Sequence, residues 1–169
     1  MNVVIVGCGR VGATLAADLD ANHHSVTVID LSTRAFDRLP GSFTGKAVRG
    51  DGTDEDTLRR AGAEEADVFL ALTEGDNRNV MAAQLAVEAL GIGQVVAKIN
   101  DQIRAAAYAD LGISTICRTE LMTHALLGHL GFDRGVAPGV VAAAPHHHPD
   151  DPTVGTGPEA VGALPTRES

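Results

Sequence analysis

Val3-Val4-Ile5-Val6-Gly7-Cys8-Gly9-Arg10-Val11-Gly12 is the stretch that decides the fold. Four β-branched residues in succession make a short strand apolar on both faces, and the glycine loop follows it directly. A Gly-x-Gly-x-x-Gly spacing alone says little in a chain with 19 glycines. Here it opens a helical stretch from Ala13 to about Ala21, and the next strand, Val26-Thr27-Val28-Ile29-Asp30, ends on an acidic residue. Gly7 permits a tight turn, Gly9 lets a pyrophosphate approach the backbone, and Gly12 lets the helix pack close to the strand. The helix start offers unpaired N–H groups and the positive end of its dipole to phosphates. Asp30, with Leu31 beside it, is placed to accept hydrogen bonds from the ribose hydroxyls of an adenosine, and its charge disfavours a 2′-phosphate. The competing reading is a glycine-rich turn that holds no ligand.

Outward from that stretch the pattern keeps alternating. A helix is expected over Ser32–Leu39 with Ser32 as its N-cap, then a weak strand Lys46–Arg49 and a short helix from Asp54 to Ala61. Val68–Thr73 reads as the clearest strand and Asn77–Leu90 as the longest helix. Val95–Ile99, a helix Gln102–Leu111, the strand Thr115–Cys117 and an apolar helix Thr119–Leu130 complete the series. Strands apolar on both faces, alternating with helices, require a parallel sheet covered on both sides. Right-handed crossovers make it a doubly wound, Rossmann-like α/β domain. Six of the seven prolines lie from Pro138 to Pro165, in a stretch with no hydrophobic period. The expectation is therefore one domain over residues 1–133 and a disordered Pro/Gly/Ala/His-rich tail over 134–169, its triplet His146-His147-His148 a solvated run.

Composition narrows the function. Of the 169 residues 44% are hydrophobic and only 3% aromatic, so the core is built from Val, Ile, Leu and Ala. A net charge of −9 argues against nucleic acid as a partner, since phosphate contacts need a basic surface. Cys8 and Cys117 make neither a disulfide framework nor a metal spacing. With no run of membrane-spanning length and no leader-like start, the expectation is a cytoplasmic protein.

Ligands of open parallel sheets sit beyond the carboxyl ends of the strands, and several of those ends carry polar side chains. Asp51, between Gly50 and Gly52, either accepts from an adenine amine or caps the helix at Asp54. Thr73 and Glu74 lie opposite the phosphate loop and can line ribose and phosphates. Lys98, one of two lysines, ends an apolar strand and needs an anion there: a phosphate, or else Asp76 or Asp101. No Tyr-x-x-x-Lys pair accompanies the cofactor loop, and His124 and His129 stand five apart on the last helix, on different faces. A cofactor site without a group to move a proton points to a sensor.

Taken together with Val28-Ile29-Asp30, Gly50-Asp51-Gly52, Ala71-Leu72-Thr73-Glu74-Gly75-Asp76-Asn77 and Val96-Ala97-Lys98-Ile99-Asn100-Asp101, the opening stretch resembles the RCK N-terminal (KTN, or Trk N-terminal) domain family. The resemblance covers about residues 1–131. It implies that Gly7 to Val11 cradle phosphates, that Asp30 holds the ribose, and that Thr73 and Glu74 complete the pocket. It further implies that Lys98 touches phosphate and that Glu120 lies near the nucleotide, although Thr119 stands where the family commonly has proline. The implied ligands are NAD, NADH, ATP and ADP. The implied role is a regulatory subunit at the inner face of the membrane, paired as a homodimer or larger ring through the last strands and helices, beside a membrane-embedded potassium transporter subunit. The family's usual C-terminal module is replaced here by the tail. The rival reading is a small NAD-dependent oxidoreductase or epimerase completed by a partner chain, with Glu120 or His124 moving the proton.

Overall fold

A computed structural model of the chain describes residues 1–101, 105–132 and 139–142. Its strands are β1 (Asn2–Val6), β2 (Ser25–Asp30), β3 (Lys46–Arg49), β4 (Val68–Ala71), β5 (Gln94–Ile99), β6 (Ser114–Cys117) and β7 (Val140–Val141). They form one sheet in the order β3-β2-β1-β4-β5-β6-β7. The first six are parallel, and β7 runs antiparallel to β6 with Ile116 opposite Val140. The helices are α1 (Arg10–Ala21), α2 (Glu55–Arg60), α3 (Asp76–Glu88), α4 (Ala105–Ala109) and α5 (Arg118–His129).

Alternation along the strands divides the core in two, because successive side chains leave opposite faces of a strand. Val3, Ile5, Val26 and Val28 pack beneath Ala13 and Ala16 of α1. Val4, Val6, Ile29, Phe69 and Ala71 pack on the other face, against Leu58 of α2 and Ala82, Ala83 and Ala86 of α3. Alanines on the buried helix faces bring the helices close to the sheet, which is how a core so poor in aromatics fills its space. The strand order reverses at β1, whose neighbours are β2 and β4. A crevice therefore opens at the carboxyl end of β1, and both cavities described below lie along it.

The doubly wound α/β fold is as expected, with three local differences. Thr33–Arg38 is a 3₁₀ helix, and the Ser32 side chain caps nothing; its N–H donates instead to Asp30 Oδ1 at 2.8 Å. The capping residue of α2 is Asp54, which accepts from Thr57 N (3.1 Å) and Thr57 Oγ1 (2.5 Å), leaving Asp51 for another task. Gly139 to Val141 falls in the stretch read as a tail, yet Cys117 N donates to Gly139 O at 2.7 Å and β7 adds a seventh strand. The last residue of the expected domain, 133, the rest of the expected tail, 134–138 and 143–169, and the start expected for the fourth crossover helix, 102–104, lie outside the described residues.

Candidate functional site

Two glycines hold the loop after β1 in shape. Gly7 takes a φ of +107°, a left-handed conformation that costs glycine little, and its N–H donates to Ile29 O at 2.7 Å. A Cβ at Gly7 would also come within 2.9 Å of Thr73 N, so the loops after β1 and β4 touch backbone to backbone. A Cβ at Gly12 would overlap the Gly7 carbonyl oxygen. Gly12 is therefore the residue that brings α1 down onto its own loop, and it lines neither cavity.

Asp30 ties this loop to β2. Its Oδ2 accepts from Cys8 N and its Oδ1 from Ser32 N, both at 2.8 Å. Each carboxylate oxygen has two lone-pair sites, so one on each stays open to a ligand hydroxyl. Burial first, and the Asp30 charge next, push the Cys8 thiol above its usual pKa, with Arg38 opposing, so the thiol stays neutral. The loop after β3 closes the other side. Gly50 N donates to Asp30 O at 3.0 Å, and a Cβ at Gly52 would overlap Val6. Asp51 accepts from Thr53 N (3.0 Å) and Thr53 Oγ1 (2.8 Å). Those two bonds, the backbone one foremost, hold its carboxyl below the ordinary 3.8; partial burial opposes them and Arg78 adds to them.

Asn79 organises the third corner and is fully buried. Its Oδ1 accepts from Thr73 N (2.8 Å) and Thr73 Oγ1 (2.6 Å), and its Nδ2 donates to Thr73 O (3.0 Å) and Lys98 O (2.8 Å). One turn earlier, Asp76 accepts from Asn100 N (2.9 Å), Asn100 Nδ2 (2.8 Å) and Asp101 N (3.3 Å). The first turn of α3 thus staples the end of β4 to the end of β5.

Two adjoining cavities result. The first, of about 350 Å³, gathers Gly7, Cys8, Gly9 and Arg10 with Asp30, Leu31, Asp51, Gly52, Thr73 and Glu74. The second, of about 570 Å³, shares Gly9, Arg10, Leu72 and Glu74 with the first and adds Val11, Lys98, Arg118 and Met122. The residues picked out in the sequence therefore converge on one crevice, apart from Gly12 and Glu120. Glu120 lines neither cavity; it stands where a Cβ at Gly139 would come within 3.2 Å of its own Cβ, towards β7. Lys98 is 6% exposed, and its ammonium faces Glu74 Oε1 at 3.6 Å, where the sequence suggests Asp76, Asp101 or a phosphate. The reason is the register: β4 and β5 are neighbours with Ala71 opposite Ala97, which sets the next residues of both strands side by side. The Thr73 hydroxyl donates inward to Asn79.

Sequence reasoning missed Arg38, Arg78 and Arg118. All three leave the first or last turn of a helical segment beside the carboxyl ends of the strands, and all three line a cavity. Arg118, which directly follows the strand Ser114–Cys117, carried an available signal, whereas Arg38 and Arg78 lie seven or eight residues beyond their strand ends and carried none. Among the described residues no cluster of three or more metal-ligating side chains occurs, and no helix is long and apolar enough to cross a membrane.

The model of the TrkA-N domain matches residues 3–119. Over 130 residues the chain is 46% identical to the Trk system potassium uptake protein TrkA of Streptomyces coelicolor, covering 77% of this chain and 58% of that relative. The chain thus spans little more than half the length of that relative. Among solved structures, the TrkA-N domain of the inner membrane protein ybaL from Escherichia coli superposes with a TM-score of 0.67 at 21% identity, over 76% of this chain and 96% of that one. The GsuK channel bound to NAD superposes with a TM-score of 0.61 at 20% identity, over 75% of this chain and 23% of that one. At such identities these likenesses speak for the fold.

Proposed function

The chain belongs to the TrkA-N domain family, and from that premise we propose that it is a nucleotide-sensing regulatory subunit of a potassium uptake transporter. It binds NAD or NADH, with ATP and ADP as alternative ligands, and does no chemistry on them. The carrying observation is the bond from Cys8 N to Asp30 Oδ2, which joins the phosphate loop and the ribose-binding carboxylate into one unit beside the first cavity. Gly7, Gly9 and Arg10 take the phosphates, Asp30 and Leu31 the ribose, and Asp51 and Gly52 flank the base. Support for the transport role comes from the Streptomyces relative, named for potassium uptake, and support for the ligand from a neighbouring fold bound to NAD.

Glu120 and His124, on which the oxidoreductase reading depends, line neither cavity. The α5 helix has no buried residue, and Met122, Leu126 and Leu130, 59%, 56% and 66% exposed, form one stripe along it. That stripe is the surface on which two such domains pair. A ligand with different affinity for two arrangements of the pair biases the membrane subunit's gate. Residues 1–133, with the strand at 140–141, form the binding unit, and the net charge of −9 on the whole chain suits basic cytoplasmic loops of the transporter subunit.

The test is a calorimetric titration with NAD, NADH, ATP and ADP while nicotinamide absorbance is followed. Binding without turnover is the expected result. No binding to any of the four overturns the reading, and turnover replaces it with the oxidoreductase or epimerase.

A further inference from the structure

The second cavity carries charge that the adenosine end of the crevice does not use. Lys98 is buried on its wall, and its ammonium lies 3.6 Å from Glu74 Oε1 with no closer hydrogen bond among the described residues. The other Glu74 oxygen faces Arg118 Nη1 at 3.9 Å. One carboxylate therefore faces two cations that line the cavity, at distances longer than hydrogen bonds. Its own side chain is 83% exposed on the loop after β4, so it is free to swing out, and its solvent-facing pair with Arg118 holds it weakly. The two cations differ: the Lys98 backbone is fixed by Asn79 at 2.8 Å, whereas the Arg118 side chain is 55% exposed at the start of α5.

We propose that Glu74 is a displaceable counter-ion and the residue that sets which nucleotide the crevice prefers. This rests on the nucleotide reading given above. With no ligand, the Glu74 carboxylate stands where an anionic group would be held by Lys98 and Arg118. Glu74, Gly9 and Arg10 are common to both cavities, so a phosphate chain that starts at the adenosine end passes Gly9 before it reaches the two cations. A nucleoside diphosphate ends near Gly9 and leaves Glu74 in place. A nucleoside triphosphate puts its third phosphate into the second cavity and must displace Glu74. A dinucleotide puts a ribose there, which carries no charge to oppose the carboxylate. Glu74 thus discriminates against triphosphates and in favour of diphosphates and dinucleotides.

The experiment is calorimetry of ATP, ADP and NADH on the full chain, with Glu74→Gln, Arg118→Gln and the double variant, at low and physiological salt. Both side chains are more than half exposed, so the fold is not at risk. Removing a like charge about 4 Å from the third phosphate is expected to raise ATP affinity about five- to tenfold relative to ADP. ADP and NADH are titrated alongside because Glu74 also lines the first cavity, and the ATP-to-ADP ratio is the quantity that decides. Arg118→Gln should lower the ATP-to-ADP affinity ratio, the double variant should lose most of the gain, and the gain should shrink as salt rises. An ATP-to-ADP ratio within twofold of the parent in Glu74→Gln, with binding intact, overturns this inference alone. Failure of every variant and of the parent to bind any of the three overturns the nucleotide reading and this one with it.

Discussion

Replacing Asp30 by alanine removes two things at once, and their sizes can be separated. In the unliganded chain the carboxylate accepts Cys8 N and Ser32 N at 2.8 Å each. A hydrogen bond to a charged acceptor is worth about 1.5–3 kcal/mol when buried, and both of these sit at a partly solvated edge. Water recovers part of each, so a combined loss of about 2 kcal/mol of stability is expected, or a fall in melting temperature of about 5–10 °C. The ligand then loses the carboxylate that receives two ribose hydroxyls, about 1.5–3 kcal/mol more, which means at least about tenfold weaker binding. Differential scanning calorimetry gives the first quantity. Isothermal titration with NADH and ADP, well below the melting temperature, gives the second. Asp30→Asn separates them further, because its amide oxygen still accepts one of the two N–H groups while its amino group faces the other. Affinities within twofold of the parent in the folded Asp30→Ala protein would refute the ribose assignment and leave Asp30 as a tie between β2 and the glycine loop.

Gly12→Ala puts a methyl group into the Gly7 carbonyl, so α1 must move; a loss of about 1–3 kcal/mol is expected in chemical denaturation, together with weakened nucleotide binding. Asn79→Ala leaves Thr73 and Lys98 backbone groups without their buried partner. Urea unfolding should report about 3 kcal/mol or more lost, and a loss under 1 kcal/mol would contradict the geometry. Leu126→Asp places a charge in the exposed stripe of α5 and should convert a pair into monomers in analytical ultracentrifugation, with the melting temperature unchanged. The Asp51 carboxyl titrates below its ordinary 3.8, so the stability it adds is complete above that value and is lost as pH falls through its folded pKa. Asp51→Asn should accordingly flatten the acid limb of a stability–pH curve below about pH 4 and leave the curve near pH 7 parallel to that of the parent.

Much of the fold and part of the site are legible in the chain, and the boundary between the two has physical causes. The alternation from β1 through β5 is written in apolar runs because both faces of a parallel sheet are buried, and the phosphate loop is legible because glycine alone tolerates its conformation. Asn79 gives no such sign: an asparagine one turn into a helix looks like any solvated residue, and only tertiary packing drives it between two strand ends. Glu74 as the partner of Lys98 depends on β4 and β5 being neighbours in register, which spacing along the chain does not encode. The two valines of β7 carry no period, and they pair because β6 offers an open edge. The helix expected at Ser32–Leu39 is a 3₁₀ segment, preceded by Ser32, whose N–H is taken by Asp30.

The staple in the first turn of α3 has a bearing on how the molecule breathes. Asp76 and Asn79 hold the amides of Thr73, Asn100 and Asp101 through side-chain oxygens, so none of those amides can exchange with solvent unless the staple lets go. The ends of β4 and β5 therefore open as one cooperative unit, with a single opening free energy. The backbones next to Glu74 and at Lys98 ride on that unit, while the Glu74 side chain moves independently of it. The α5 helix, which buries none of its residues, has no such restraint. Hydrogen exchange at Thr73, Asn100 and Asp101 is thus expected to be slow and concerted, and that of α5 faster.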